Sequence, residues 1–313
     1  MSNSADGQRT IDELIRKGVI NLDKPAGPTS HEVAAWVKRI LQIKKAGHSG
    51  TLDPKATGVL PILLQDATKA VGALVRLPKE YVCVLHLHKR VPEGELLDVL
   101  KEFTGVLYQR PPLKSAVKRQ IRKREVYYID VLEREGNDVL LKIGCEAGTY
   151  IRKLCHDVGE ALGVGAHMQE LRRTKVGPFD ESKLATLHDL TDAYHFWIED
   201  NDETPLRNII MPLERALEHL PRIIIRDTAV DAICHGARLA EPGVISLPRL
   251  DAKQLVGMYT TRDEIVALGI SVLEGGIVAE VKRVMMAPGT YPRSWKSRKT
   301  TGKLAIRKNG RGF

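Results

Sequence analysis

Between residues 47 and 61 the chain reads Gly47-His48-Ser49-Gly50-Thr51-Leu52-Asp53-Pro54-Lys55-Ala56-Thr57-Gly58-Val59-Leu60-Pro61, its densest cluster of backbone-controlling residues. Three glycines permit unusual backbone angles or close approach by a ligand. Pro54 steers Asp53 away from the helical region. The apolar run Val59-Leu60-Pro61-Ile62-Leu63-Leu64 then reads as a strand, so the segment must fold as a loop anchored in a sheet. Such loops concentrate chemistry. An isolated Asp-Pro is ordinary turn chemistry, but this context makes the Asp53 carboxylate the candidate reactive group.

Ile11-Asp12-Glu13-Leu14-Ile15 is a short amphipathic piece leading into a strand, Gly18-Val19-Ile20-Asn21-Leu22. Thr29 and Glu32 have capping-box spacing, and Val33, Trp36, Val37, Ile40 and Leu41 share one helical face, which predicts a helix ending before Gly47. After the loop, residues 67–77 read as helical, and Tyr81, Cys83, Leu85 and Leu87 alternate as a strand. His86 and His88 fall on one strand face without a visible third ligand, so they read as surface histidines and no metal is expected. A helix is expected over Glu95–Phe103. Six basic residues follow between 114 and 124, flanked by Tyr108, Tyr127 and Tyr128: Lys114, Lys118, Arg119, Arg122, Lys123 and Arg124. Such a run reads as a solvated face or a phosphate-contacting surface, and its proline-stiffened start favours the second. Strand 139–145 leads to a helix with Thr149 as its expected cap, which puts Arg152 in the first turn, where a cation opposes the helix dipole. Further helices are expected at 187–198 and 212–220. From Pro221 the pattern changes to short strands and turns.

A chain of 313 residues exceeds what one core usually covers, so two domains are expected, each burying its own apolar surface. Lys and Arg number 48 against 39 Asp and Glu, and the formal charge of +9 favours a polyanionic partner. Four cysteines at 83, 145, 155 and 234 show no Cys-x-x-Cys spacing and read as reduced core thiols. No signal core and no run long enough to cross a bilayer is visible, which predicts a soluble, cytoplasmic protein with no membrane partner.

The string around Asp53 resembles the Gly-x-Leu-Asp-Pro signature of the pseudouridine synthases, in the branch shared by the bacterial TruB type and the dyskerin type. Lys79-Glu80-Tyr81-Val82 resembles the motif whose tyrosine stacks under the target base. Gly148-Thr149-Tyr150-Ile151-Arg152-Lys153-Leu154 resembles the motif whose arginine pairs with the catalytic aspartate, and Leu171–Phe179 the closing strand. His235–Gly243, with the strands around it, resembles a PUA domain, a small RNA-binding β-barrel. The resemblance implies an α+β fold: a pseudouridine synthase catalytic domain over 1–221, built on a mixed, largely antiparallel sheet flanked by helices, a PUA domain over 222–296 and a basic flexible tail over 297–313.

The implied reaction isomerises uridine to pseudouridine in RNA. It breaks the bond from the sugar to a ring nitrogen and rejoins the turned base through ring carbon, without redox change, so no cofactor is implied. Asp53, Arg152 and Tyr81 are the implied catalytic residues; His48, Leu154, Lys24 and Tyr150 the substrate-binding ones; Lys114, Lys118, Arg119 and Arg122 the RNA-binding ones. A nucleophilic and a proton-removing aspartate both fit the residue types. With only a short helix between His88 and Pro112, where the bacterial enzyme carries a longer insertion, the chain resembles the dyskerin type, and ending at Phe313 without a long Lys- and Glu-rich tail it resembles the archaeal form. That type is directed by H/ACA guide RNA on rRNA, with tRNA as a further substrate, and is assisted by small accessory proteins of the Nop and Gar types and a kink-turn-binding ribosomal-type protein. A guide-independent tRNA synthase and a non-catalytic RNA scaffold are the competing readings.

Overall fold

The computed structural model describes residues 9–110 and 120–292. Lys114, Lys118, Arg119 and the expected tail lie outside the described residues. In chain order the first part runs α1 (Ile11–Lys17), β1 (Gly18–Lys24), α2 (Ser30–Ile40), β2 (Ala46–His48), β3 (Thr57–Leu64), α3 (Val71–Val75), β4 (Lys79–Leu87), α4 (Glu93–Glu102), β5 (Gly105–Gln109), β6 (Arg122–Glu135), β7 (Asp138–Cys145), α5 (Ile151–Ala161), β8 (Ala166–Val176), α6 (Leu187–Asp200), α7 (Thr204–Ile209), β9 (Ile210–Pro212) and α8 (Leu213–Ala216). The second part runs β10 (Arg222–Ile225), α9 (Asp227–Cys234), β11 (Leu239–Ala240), β12 (Val244–Ser246), β13 (Leu255–Tyr259), β14 (Ile265–Glu274) and β15 (Ile277–Val284).

Nine strands form the first sheet in the order β5-β6-β7-β4-β8-β3-β1-β9, with β2 paired to β3. Its pairings are antiparallel except β3 with β8, which run parallel through Thr57↔Arg172 and Gly58↔Arg173. The helices start where the side chains dictate. Thr10 with Glu13, Thr29 with Glu32 and Thr186 with Asp189 each close a capping box, satisfying backbone donors that a helix start leaves open.

Burial follows the strand period of two. Tyr81, Cys83, Leu85 and Leu87 face a core shared with Ile151, Leu154, Cys155 and Val158 of α5. β3 is buried on both faces: Leu60, Ile62 and Leu64 pack with α1, α2 and α6 residues, whereas Val59 and Leu63 join Val19 in a second cluster. That second cluster contains Tyr259, Ile265, Leu268 and Met285 from the second part of the chain. The expectation of a separate core for each domain therefore holds only in part. The second unit has its own cluster around Ile223, Val230, Val256 and Val278, but it also covers a sheet face of the first that would otherwise be wet.

Other expectations shift locally. Residues 67–77 split into a tight 3₁₀ turn, Gln65–Ala70, followed by α3. Pro212 ends β9, leaving α8 one turn long. Thr149 is not the cap of α5: its hydroxyl donates to Glu146 O at 2.8 Å, and Tyr150 occupies the cap position. The second unit is a six-stranded sheet in the order β11-β15-β14-β13-β10-β12, an open path rather than a closed ring of pairings among the described residues. All four cysteines are buried free thiols. No helix among the described residues is long and apolar enough to cross a membrane.

Glu214, 8 % exposed, ties three segments together: Arg9 Nη1 donates to Oε2 at 2.7 Å, and the Ile265 amide of the second unit donates to Oε1 at 3.1 Å. Burial pushes its carboxyl up, but Arg9 and the amide outweigh burial and hold it below its usual value. With a folded value below the unfolded one, the stabilisation is present above the ordinary carboxylate range and is lost as pH falls through the lower, folded value. Glu214→Ala is expected to destabilise the fold by about 1–3 kcal/mol and to flatten its acid-side stability loss. Denaturation curves across pH check this, and unchanged curves would refute it.

Candidate active site

The loop between β2 and β3 is held from behind by buried donors. Lys24, with no exposed surface, points its Nζ at three carbonyls: Pro25 O at 2.9 Å, Pro54 O at 3.0 Å and Ala56 O at 2.8 Å. Pro54 O also accepts from the Gly27 amide at 2.9 Å, and the Ala56 amide closes a turn on Asp53 O at 3.0 Å. Ser30 Oγ accepts from the Leu52 amide at 2.8 Å and donates to Leu52 O at 3.3 Å. Arg173, 1 % exposed, donates from Nε to Val59 O at 2.8 Å and from Nη2 to Gly50 O at 3.2 Å. Gly50 and Gly58 both have positive φ, +133° and +102°. A Cβ on Gly58 would stand 2.2 Å from Arg173 O, so the glycine is required where β3 meets β8.

The frame turns one side chain outward. Asp53 Oδ2 accepts from Arg152 Nη2 at 2.5 Å, across 99 residues of chain. Their side chains remain 50 % and 60 % exposed, so the pair stands in an open cleft. The cleft, ≈ 990 Å³, is lined by Asp53, Arg152, Val82, Val84, Met168, Leu171 and Arg172, among others. Arg172 braces its wall, forking onto both Asp23 oxygens at 3.1 Å and donating to Glu181 Oε1 at 2.6 Å.

Tyr81 and Leu154 lie beneath the loop in one cluster with Leu52 and Ala56, and Tyr81 is 9 % exposed. Burial raises the Tyr81 hydroxyl's pKa, opposed by the Arg173 guanidinium opposite it in the β4–β8 register. Lys24 is pushed down by burial and by Arg173, against the pull of Asp53. Lys79, 6 % exposed, donates to Val75 O and Leu77 O, both at 2.6 Å, and burial with Arg173 pushes it down to about 8. His48 packs edge-on against His31, ring centroids 4.8 Å apart, and its Nδ1 accepts from the Gly50 amide at 3.3 Å. Burial, then His31 and Arg173, lower His48 to about 4.

Tyr150 is half-buried immediately before α5, and Arg122 opens β6, half-buried, opposite Gln109. His86 pairs with Asp138 Oδ1 at 2.5 Å, and His88 Nε2 lies 3.0 Å from His167 Nδ1. Among the described residues no group of three or more His, Cys, Asp or Glu is placed to hold a metal ion. The sequence reading missed Ser30, Arg172, Arg173 and Lys79. A cation that is buried because it serves carbonyls has no spacing signature; the one available signal was three cations clustered in the motif strands.

The sequence profile of the TruB family pseudouridylate synthase N-terminal domain matches residues 38–97 and 88–151, and that of the tRNA pseudouridylate synthase B C-terminal domain matches residues 152–218. A probable tRNA pseudouridine synthase B of Methanopyrus kandleri is 59 % identical over 297 residues, covering 92 % of this chain and 88 % of its own. The chain belongs to the TruB family of pseudouridylate synthases. A DKCLD domain matches residues 5–34 of this pseudouridine synthase and a PUA domain residues 221–287, the first of which went unread in the sequence. Another probable tRNA pseudouridine synthase B, from Pyrococcus furiosus, is 54 % identical over 93 % of this chain and 88 % of its own. Among solved structures, the enzyme is similar to a chain in the crystal structure of a Cbf5-Nop10-Gar1 complex, with a TM-score of 0.88 and 54 % identity over 93 % of this chain and 91 % of that one. It is similar also to a chain in an H/ACA ribonucleoprotein bound to a substrate RNA containing 2'-deoxyuridine, with a TM-score of 0.87 and 51 % identity over 93 % and 92 %.

Two outcomes are expected of this pseudouridine synthase. Lys24→Met keeps the stem's bulk but strips three carbonyls of their donor, and kcat should fall by on the order of 10²-fold as the loop relaxes; steady-state kinetics at the wild-type rate would refute the clamp. With a folded pKa near 4 against 6.5, His48 stays neutral above about pH 5.5. Its contribution to stability is therefore present above 6.5 and lost as pH falls through about 4. Ring NMR shifts of His48 titrating near 6.5 would contradict its burial.

Proposed function

We propose that this pseudouridine synthase isomerises uridine in RNA with Asp53 as its reacting carboxylate and Arg152 as the charge that attends it. The observation that carries the reading is the 2.5 Å contact between them at the mouth of a cleft of ≈ 990 Å³. As a nucleophile at the anomeric carbon or as a base toward its neighbour, the carboxylate must enter the reaction ionised. A guanidinium at hydrogen-bond distance gives the carboxylate a fixed partner while the uracil ring displaces water. Tyr81 and Leu154 supply the apolar floor below the loop, His48 stands at its entrance, and Tyr150 flanks Arg152. The flipped uridine costs a few kcal/mol to extract, offset by phosphate contacts from the basic run, Lys114, Lys118, Arg119 and Arg122, and from the PUA domain over 222–296. The chain's formal charge of +9 fits that partner.

We assign it to the cytoplasm of an archaeal cell as the catalytic subunit of an H/ACA ribonucleoprotein. There it acts on guide-selected uridines of rRNA, with small proteins of the Nop and Gar types and a kink-turn-binding protein as partners. The likeness to chains solved in a Cbf5-Nop10-Gar1 complex and in an H/ACA ribonucleoprotein with substrate RNA supports the ribonucleoprotein role and the Nop and Gar partners. The likeness to probable tRNA pseudouridine synthases B favours tRNA as a second substrate, and we place that site in the TΨC arm.

Purified enzyme should convert uridine in tRNA alone, and in a guide-paired substrate once accessory proteins are added. Asp53→Asn, nearly isosteric, should form no product while still binding RNA. Arg152→Ala should be crippled, with Arg152→Lys restoring only part of the rate because a point charge lacks the planar fork. Undiminished turnover by Asp53→Asn rejects the assignment.

A further inference from the structure

Gln109 is the last residue of β5 and is 3 % exposed. A buried carboxamide needs partners for both its ends, and Gln109 finds them on a single residue. Its Nε2 donates to Tyr150 O at 3.2 Å, and its Oε1 accepts from the Tyr150 amide at 2.9 Å. Tyr150 caps α5 without using its own side chain, while its carbonyl accepts the first helical bond, from the Leu154 amide at 3.0 Å. The carboxamide therefore behaves like one rung of a sheet, fixing both backbone polar groups of Tyr150, the residue from which α5 departs. Arg152 leaves that helix two residues later.

The turn before α5 is held from the neighbouring strand as well. Gly148 has a φ of +84°, and a Cβ there would stand 3.1 Å from Arg124 Nη2. Arg124 Nη1 lies 3.7 Å from Glu146 Oε1, and Gln109 itself pairs with Arg122 across β5 and β6. Both strands of this hairpin thus bear on the segment 146–150. Arg152 has a long side chain that is 60 % exposed. Where its guanidinium meets Asp53 is set by where its helix begins.

We propose that Gln109 is a positioning residue for the isomerisation, acting through Tyr150 to place the Arg152 guanidinium on Asp53. This rests on the reading of Asp53 and Arg152 as the reactive pair. Gln109→Leu fills the same space but leaves the Tyr150 amide and carbonyl without their partner. A displacement of about 1 Å at a reacting group costs on the order of 10²-fold, and that is the scale of loss expected in kcat.

The test measures turnover on tRNA, RNA affinity and melting temperature for the full chain. Gln109→Leu should lower kcat toward that scale with KM and RNA binding unchanged. In the Arg152→Lys background, which retains part of the rate, it should remove little more, because both changes act on one contact. Wild-type kcat in Gln109→Leu, or losses that multiply in the double variant, would overturn the proposal. Should Gln109→Leu fold poorly, Gln109→Glu provides the second arm. A protonated carboxyl donates and accepts like the amide, whereas a carboxylate faces the Tyr150 carbonyl with no proton to offer. Its kcat relative to wild type should therefore rise as pH falls, and a flat ratio would overturn the proposal. Turnover persisting in Asp53→Asn would instead sink the underlying reading of the site.

Discussion

The loop that carries Asp53 depends on an ammonium group with no exposed surface. Burying a charge is costly unless every hydrogen-bonding direction is used, and Lys24 spends its three donors on Pro25, Pro54 and Ala56. Two of those carbonyls, on Pro54 and Ala56, directly follow Asp53, and the third ties them to the turn after β1, so the requirement to satisfy the lysine also fixes the backbone just beyond the aspartate. Arg173 acts similarly one strand away, joining Gly50 to Val59. Asp53 is among the charges that act on Lys24. It pulls the lysine toward its charged form, against burial and the Arg173 guanidinium, which both push the other way.

A second constraint is the placement of β1 and β3 inside the protein. Their side chains alternate between two clusters, and one cluster is completed by Tyr259, Ile265, Leu268 and Met285. The strand that follows the Asp53 loop is thus packed directly under the second unit. Glu214 adds a polar tie at the same junction, reaching Arg9 and the Ile265 amide. Cooperative unfolding of both units is the natural outcome of such sharing.

What the sequence disclosed and what it hid follow the range of the forces involved. Local rules were legible: the capping box at Thr29, the alternation through Tyr81 and Leu87, and the strand after Asp53 all depend on near neighbours. The family resemblance placed Arg152 near Asp53, which periodicity alone could not have done across 99 residues. Thr149 was misread as a cap because its hydroxyl has a closer acceptor in Glu146 O. Arg173 and Gln109 were passed over because charged and amide side chains read as surface, and only tertiary structure shows which of them meet backbone in the interior. The shared cluster was hidden for a related reason: apolar strand residues announce burial but not which layer covers them.

The half-exposed state of the Asp53–Arg152 pair carries a consequence for timing. In the unliganded cleft the two charges are bathed by solvent, and their attraction is weakened by a high local dielectric. A molecule filling the cleft beside Val82, Val84 and Met168 would itself drive that solvent out. The attraction between Asp53 and Arg152 would then be strongest only while the cleft is filled, and weakest while it stands open.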